Sequence, residues 1–597
     1  SLGKFQKAQQ IFEHITTSTT SINEALFHLI EAHIGQGNLD DALSILDSPK
    51  CEILERENVL LAKARILMMQ KEISAAQIPL KEVLELDTGK IDALLMLADC
   101  HMQVGAYDEA LNLQQRVLFE EPGNENAMVC LAQIYHAKDD ASAVLNFSKK
   151  VIERFPRNIS AQKLYCWALH KKKRWDEYLE ATKNLAILSP DDPEALKMLS
   201  SAHWEKCDYH SCIVTCSRAL SFDPDDIVSL YFAANSYFKL GFQNQALDKL
   251  EQLLILNPND VRALQNKAVI FERFNLIDES IAIYDRILEI EPEKSTTLFN
   301  KSMCYLTKGW FKEGFHLYES RFNRETHLLS NYVGDEPVWT GKQSLQGKHL
   351  LVHPEQGLGD TIMMSRFVNY IDDHGAKITF AVQKPLQSIM ETFETRAKVV
   401  AAGAQVDRID YHVPLMSLPH LTDDKWQSIP IKQKYLKAPN KQKNKWAERL
   451  GVPSSLRVGF VCSGNPEHNN DLMRSINMST FLRCLPEGPD YFLLQKDLRN
   501  SDKAALVYRD DVRCFNEEIE DFADTAALCE LMDLVVSVDT SVIHLAGALG
   551  VPSLVMLSTW PDWRWGSNDT PLPWYESVRT VRQIHEGDWS TVLDMVR

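Results

Sequence analysis

Four polar side chains interrupt an otherwise apolar run in "SVDTSVIHLAGALGVPSLVML" (537–557). The run reads as the end of a buried strand, a short helix and the start of a second strand. Asp539, Thr540, Ser541 and His544 fall in the turn and the first helical turn. Backbone N–H groups of Thr540 and Ser541 at a helix start favour an anion, because the helix dipole is positive there. The two hydroxyls, and His544 one turn on, can add donors to that anion. The segment is therefore a candidate phosphate cradle without a P-loop. Asp539 at the strand end suits the orienting of ligand hydroxyls or of the turn itself. The competing assignment is a Thr or Ser helix cap with His544 as a core histidine.

A second group is "GLGD" at 357–360. It is not a dinucleotide fingerprint, since the third glycine would fall on Ile362, and no GxxxxGK[ST] follows anywhere. What remains is a tight turn in which Gly357 and Gly359 bring backbone N–H groups and Asp360 to the start of a helix. Asp360 is either an N-terminal cap or a cleft carboxylate placed to take a proton from an attacking hydroxyl.

A third group is "CSGNPEHNNDLMRSI" (462–476), where Ser463 and Asn465 follow a strand and Arg474 supplies a positive fork suited to phosphate. Its alternative is a surface ion pair between Arg474 and Asp471. "LLQKD" (493–497) places Gln495 and Lys496 at another strand end, a position for base or ribose contacts. "WPDWRWG" (560–566) is expected either to close over the cleft or to pack the C-terminal helix onto the first α/β block, with Trp563 and Trp565 read as packing. The pairs Asp372–Asp373 and Asp510–Asp511 lack DxD spacing and are expected on solvated surface. No CxxC occurs among the twelve cysteines, so Cys207, Cys212 and Cys216 are expected as reduced thiols of a helical core, with no metal site.

These groups need strand ends to hold them. Strands are expected within 349–353, 377–383, 457–465, 491–495, 534–539 and 552–557, alternating with helices. That pattern predicts two Rossmann-like blocks, 346–440 and 441–597, with ligand bound at the carboxyl ends of parallel strands. Residues 323–345 are a connector packed by Trp339.

Upstream, Pro122, Pro156, Pro190, Pro224, Pro258 and Pro292 stand 34 residues apart. Small residues keep the same step: Ala64, Ala98, Ala132, Cys166, Ser200, Ala234, Ala268 and Ser302. A second series runs through Ala42, Ala76 and Ala110 and reappears at Cys212, Ala246, Ser280 and Gly314, with Val144 and Tyr178 as the larger members. Small residues at two places per repeat let antiparallel helices approach, and the proline ends each pair. "AYDEALNLQQRVLFEEPGN" (106–124) resembles a tetratricopeptide repeat. About nine such repeats fit between residues 23 and 322, after a partial one from Phe5, giving an α-solenoid over 1–322 whose groove suits a protein partner.

The formal net charge of −18 over 597 residues argues against nucleic acid or an anionic membrane as the main partner. No apolar run reaches the ~18 residues of a membrane span, and no signal peptide is evident. The chain is expected to be cytoplasmic; it begins at Ser1 without Met, so its true start is open.

"PEQGLGDTI", "VPLMSLP", "GNPEHNNDLMRSI" and "DTSVIHLAGALGVP" together resemble bacterial heptosyltransferase-type glycosyltransferases of GT-B fold. With the repeats, the chain resembles bacterial tetratricopeptide-repeat glycosyltransferases of the flagellin-modifying type. The resemblance implies inverting, metal-independent and cofactor-free sugar transfer from a nucleotide sugar, with Asp360 as base and Thr540, Ser541 and His544 on donor phosphate. It implies a protein acceptor held by the repeats, flagellin in the lead, and a nonulosonic acid such as pseudaminic acid from a CMP donor. UDP-GlcNAc- or ADP-heptose-type transfer, and an inactive nucleotide-sugar sensor, are the alternatives.

Overall fold

The computed structural model describes residues 22–48, 55–323, 334–371, 375–422, 434–468, 470–507, 509–567 and 574–597. The partial repeat expected from Phe5, the first part of the connector and the Asp372–Asp373 pair lie outside them. The chain forms two compact units, Ser1–Leu256 and Asn257–Arg597.

The first unit is a run of paired helices from Ile22–Gln36 to Gln243–Leu256. Ala64, Ala76, Ala98, Ala110 and Ala132 are fully buried, so the small positions are where neighbouring helices meet. Two residues before each described proline of the ladder a helix ends, as at Glu120, Arg154, Leu188 and Phe222. Two residues after the first four of these prolines a side chain caps the next helix: Asn124 accepts from Ala127 N–H, Asn158 from Ala161, Asp192 from Glu194 and Asp226 from Ser229. A further member of the repeat sits inside each helix pair. Gly37, Lys71, Gly105, Asp139, Lys173, Cys207 and Gly241 all have positive φ, one per repeat. The left-handed residue reverses the chain within a pair, and glycine is the residue that adopts it without steric cost.

The second unit begins with four more helices of the same pattern: α1 (Val261–Arg273), α2 (Ile277–Ile290), α3 (Ser295–Thr307) and α4 (Phe311–Tyr318). Ala268, Ser280 and Ser302 are fully buried, and a Cβ on Gly314 would stand 2.8 Å from Leu306. Two parallel sheets follow. The first has the order β3-β2-β1-β4, from β1 (His349–His353), β2 (Lys377–Val382), β3 (Lys398–Ala401) and β4 (Tyr411–Pro414). The second has the order β10-β9-β8-β5-β6-β7, from β5 (Arg457–Val461), β6 (Asp490–Leu493), β7 (Val512–Cys514), β8 (Leu534–Val538), β9 (Ser553–Leu557) and β10 (Val578–Arg582). Every pairing is parallel. The connector residue Trp339 is buried and bonds through its backbone N–H to His412 O at 2.8 Å.

One apolar core runs through this unit, joining Phe315 and Tyr318 of α4 to Phe367, Phe380, Trp446, Trp563 and Trp574. The Lys-rich stretch between the sheets is itself helical, α5 (Asn440–Leu450), and fully buried Trp446 anchors it by an N–H bond of 2.8 Å to Asp524. The C-terminal helix α6 (Ser590–Val596) corrects an expectation. It lies on the second sheet, where Val592 and Leu593 join Phe460, Val536 and Met556. Alternate residues of β5, β8 and β9 supply the apolar face it needs, so the first block does not receive it. Cys212 and Cys216 are buried in a helix, whereas Cys207 is exposed in its turn.

Candidate functional site

A cavity of about 570 Å³ opens between the loop after β1 and the carboxyl ends of β5, β8 and β9. Gly357, Gly359, Asp360, Asn465, Arg474, Asp539, Thr540, Ser541 and His544 all line it. Most of the expected site residues therefore do converge, from three separate stretches of sequence.

The glycine turn leads into a short helix at Leu358–Met364, with Gly357 preceding it at φ −67°. Neither glycine has a positive φ, so the turn itself does not demand them. Gly359 is required by packing: a Cβ there would lie 2.9 Å from His544 Cδ2 and 3.4 Å from Ser541 Cα. Asp360 is not the residue that caps the helix but its third residue, and its Oδ2 reaches back to accept from Gly357 N–H at 2.9 Å. Its other oxygen is paired with Arg564. Burial holds the Asp360 carboxyl above the usual range, with Arg564 pulling it down and Asp562 pushing it up.

Across the cavity, β8 ends at Val538 and the helix Ser541–Leu549 begins three residues later. Thr540 is the residue before it, but its hydroxyl makes no capping bond and instead lies 3.1 Å from Ser537 Oγ. Its first N–H groups are thus left for another acceptor. Asp539 is pushed up to about 6, by burial first and the neighbouring Asp562 second. His544 is buried, stacks on Trp565 at 5.1 Å and hydrogen-bonds through Nδ1 to Tyr575 OH at 3.1 Å. Burial, then the Arg564 charge, drives it down to about 3. It is a neutral, packed histidine that shows one edge to the cavity, so it contributes no positive charge to an anion. Gly547 admits the Tyr575 ring, since a Cβ would come within 2.5 Å of it.

Arg474 crosses the loop after β5 and donates from Nη1 to Asp539 O at 3.0 Å. Asp471 is 3.9 Å from Arg474 and is held more closely by Arg499 at 2.6 Å, so the Asp471 pairing is secondary.

Three expected residues stand outside the cavity. Ser463 and Gln495 are buried and bond each other at 2.9 Å, with Asp502 beside them. Lys496 donates to Glu520 O at 2.8 Å. For Gln495 and Lys496 the reason is strand order, since β6 lies beyond β5, away from β8; Ser463, just after β5, is engaged by Gln495 instead. These residues brace the sheet rather than touch a ligand there.

The missed residue is Arg564. It sits in the turn Trp563–Trp565, nine-tenths buried, with its guanidinium 4.5 Å above the Trp563 ring. It pairs with Asp360 and Asp562 and donates to Gln356 Oε1 at 3.2 Å. Gln356 in turn donates from Nε2 to Tyr318 OH. Trp563 and Trp565, read as packing, are both buried, and Trp563 meets Phe315 edge-on at 5.6 Å. Among the described residues no cluster of three or more His, Cys, Asp or Glu could hold a metal ion. Among them also no helix is long and apolar enough to cross a membrane.

Residues 67–128 and 232–295 match two tetratricopeptide-repeat family profiles. The repeats are tetratricopeptide repeats. Together with the paired helices they make the N-terminal part a tetratricopeptide-like α-solenoid, followed by parallel α/β sheets. Protein FlbA of Caulobacter vibrioides is 25% identical over 320 residues, covering 49% of this chain. The chain spans about half of that relative, 52% of its length. Solved structures similar to part of this chain include the C-terminal part of a tetratricopeptide-repeat protein from Cytophaga hutchinsonii, 12% identical, with TM-score 0.35, covering 40% of this chain and 97% of that one. Pseudomonas aeruginosa pilF is 15% identical, with TM-score 0.30, covering 34% and 92%. MamA protein is 20% identical, with TM-score 0.27, covering 29% and 94%.

Proposed function

We propose that this protein is an inverting, metal-independent glycosyltransferase acting on a protein. The observation that supports the reading is the opposition of Asp360 to an uncapped helix start, at Thr540 and Ser541, across one cleft. A nucleotide sugar would lay its phosphate on the helix start and on Arg474. The acceptor hydroxyl attacks the anomeric carbon, its proton passes to Asp360, and the bond from that carbon to the phosphate oxygen breaks with its electron pair. Donors already pointed at the phosphate stabilise the charge that develops there.

The acceptor is a Ser or Thr hydroxyl of a protein bound by the repeats, because a small sugar acceptor needs no solenoid. The lead acceptor is flagellin and the lead donor a CMP-linked nonulosonic acid such as pseudaminic acid, both on the resemblance of layout. The pairing of Asp360 with Arg564 favours a second reading, a nucleotide-sugar sensor without turnover.

Calorimetry and thermal shift with CMP, UDP, ADP and GDP test the reading first, since a bound ligand stabilises by mass action. CMP selectivity supports the lead donor, and UDP or ADP selectivity moves it to a hexosamine or heptose. Binding without transfer to any protein or glycan acceptor supports the sensor.

A further inference from the structure

Arg564 is an unusual group to find in a cleft wall. It is nine-tenths buried, and its Nε has no partner among the described residues. Its remaining nitrogens serve two carboxylates and one amide oxygen at once, Asp360, Asp562 and Gln356. The guanidinium rests on the face of Trp563, a surface along which it can shift while keeping its cation–π contact. It lines the same cavity as Thr540 and Ser541.

We infer that Arg564 is shared between two anions: it pairs with Asp360 until a phosphate group at the start of Ser541–Leu549 competes for it, and that competition leaves Asp360 an unpaired carboxylate. The inference deepens the transferase reading and rests on it for its meaning in catalysis, though not for its anion chemistry. A donor phosphate brings two non-bridging oxygens and a full negative charge that match the guanidinium fork, and the neighbouring helix N–H groups hold it there together with Arg564. A carboxylate that loses its cation inside a buried cleft holds a proton more tightly. Asp360 therefore becomes a stronger base only once the donor phosphate is in place. This orders the reaction, with donor before deprotonation of the acceptor.

Other groups face the pair. Asp562 shares its loop and Tyr318 comes from α4; Asp539 and His544 belong to the second sheet, and Arg474 and His468 to the loop after β5. A proton taken up on binding could go to one of these, so the variant at Asp360 decides its destination.

The test is calorimetry of inorganic pyrophosphate and of CMP and UDP on the full chain, in two buffers of different ionisation enthalpy. The wild type should take up protons on binding. Asp360→Asn should bind roughly tenfold more tightly or better, because the competing charge is gone, and should take up fewer protons. Arg564→Gln should lose roughly tenfold or more, and Arg564→Lys, which keeps the charge and guards against misfolding, should recover part of that loss. Thermal melting confirms that each variant folds. Equal affinity and equal proton uptake in wild type and Asp360→Asn would overturn the inference while leaving the transferase reading in place. Pyrophosphate binding with this pattern, but no nucleotide binding, would keep the inference and remove the transferase reading. No binding of any probe to the wild type removes both.

Discussion

Gly359 and His544 meet across the cleft: a Cβ on the glycine would stand 2.9 Å from the imidazole Cδ2, and 3.4 Å from the backbone at Ser541. The ring cannot retreat, because Trp565 stacks on it and Tyr575 bonds it. Gly359→Ala should therefore cost about 1–3 kcal/mol of stability, the usual range for overpacking. Chemical denaturation measures it; a change within ~0.5 kcal/mol would mean that the two blocks part easily.

Asp360→Asn keeps an acceptor for Gly357 N–H but cannot accept the proton of a hydroxyl. Transfer should fall by roughly 10²–10⁴, the contribution of a positioned general base, with the fold retained. Undiminished turnover would remove Asp360 as base.

Glu272 of α1 is buried, receives a hydrogen bond from Tyr284 OH and is pushed by burial up to about 7. An acid whose folded value is raised binds more protons folded than unfolded, so its stability is present below its ordinary range and is lost as pH rises towards 7. Glu272→Gln should gain on the wild type by up to about 3 kcal/mol at pH 8 and by little at pH 4. Melting temperatures of both proteins across that range read the difference, and a constant gap would show that ionisation is not its source.

Lys173 holds φ +56° in its intra-repeat turn, where Gly105 and Gly241 occupy the same place in other repeats. Lys173→Gly relieves about 1–2 kcal/mol of left-handed strain and costs about 0.5–1 in chain entropy. A small net stabilisation, up to roughly 1 kcal/mol, is expected on denaturant unfolding. A clear loss would mean that the side chain itself contributes contacts.

Trp446 N–H reaches Asp524 in full burial. Trp446→Phe keeps most of the apolar volume and leaves that carboxylate without one donor, for an expected loss of about 1–3 kcal/mol. A neutral substitution would mean that Lys445 and the Glu520 N–H satisfy Asp524 alone.

The repeat part was legible because its constraints are local and periodic. A proline stops a helix wherever it stands, a small residue marks where two helices touch, and a step of 34 brings both back in phase. The six strands read from the sequence are likewise apolar runs between turns, and all six are strands of the two sheets. The other four are not legible this way: β3, β4 and β7 have only three or four residues each, and β10 (VRTVR) mixes its two valines with polar side chains. At the site, residues that belong to one strand-to-helix turn, such as Asp539, Thr540 and Ser541, were legible together because the chain itself keeps them adjacent. Strand order was not, and it is strand order that places Gln495 and Lys496 too far away. Nor was the partner of Asp360, for a charge between tryptophans reads as packing until folding sets it against a carboxylate from the other sheet. Sequence determines which groups exist and what their neighbours along the chain oblige them to do; only the packing of one sheet's loops against the other's decides which charges are close enough to neutralise one another.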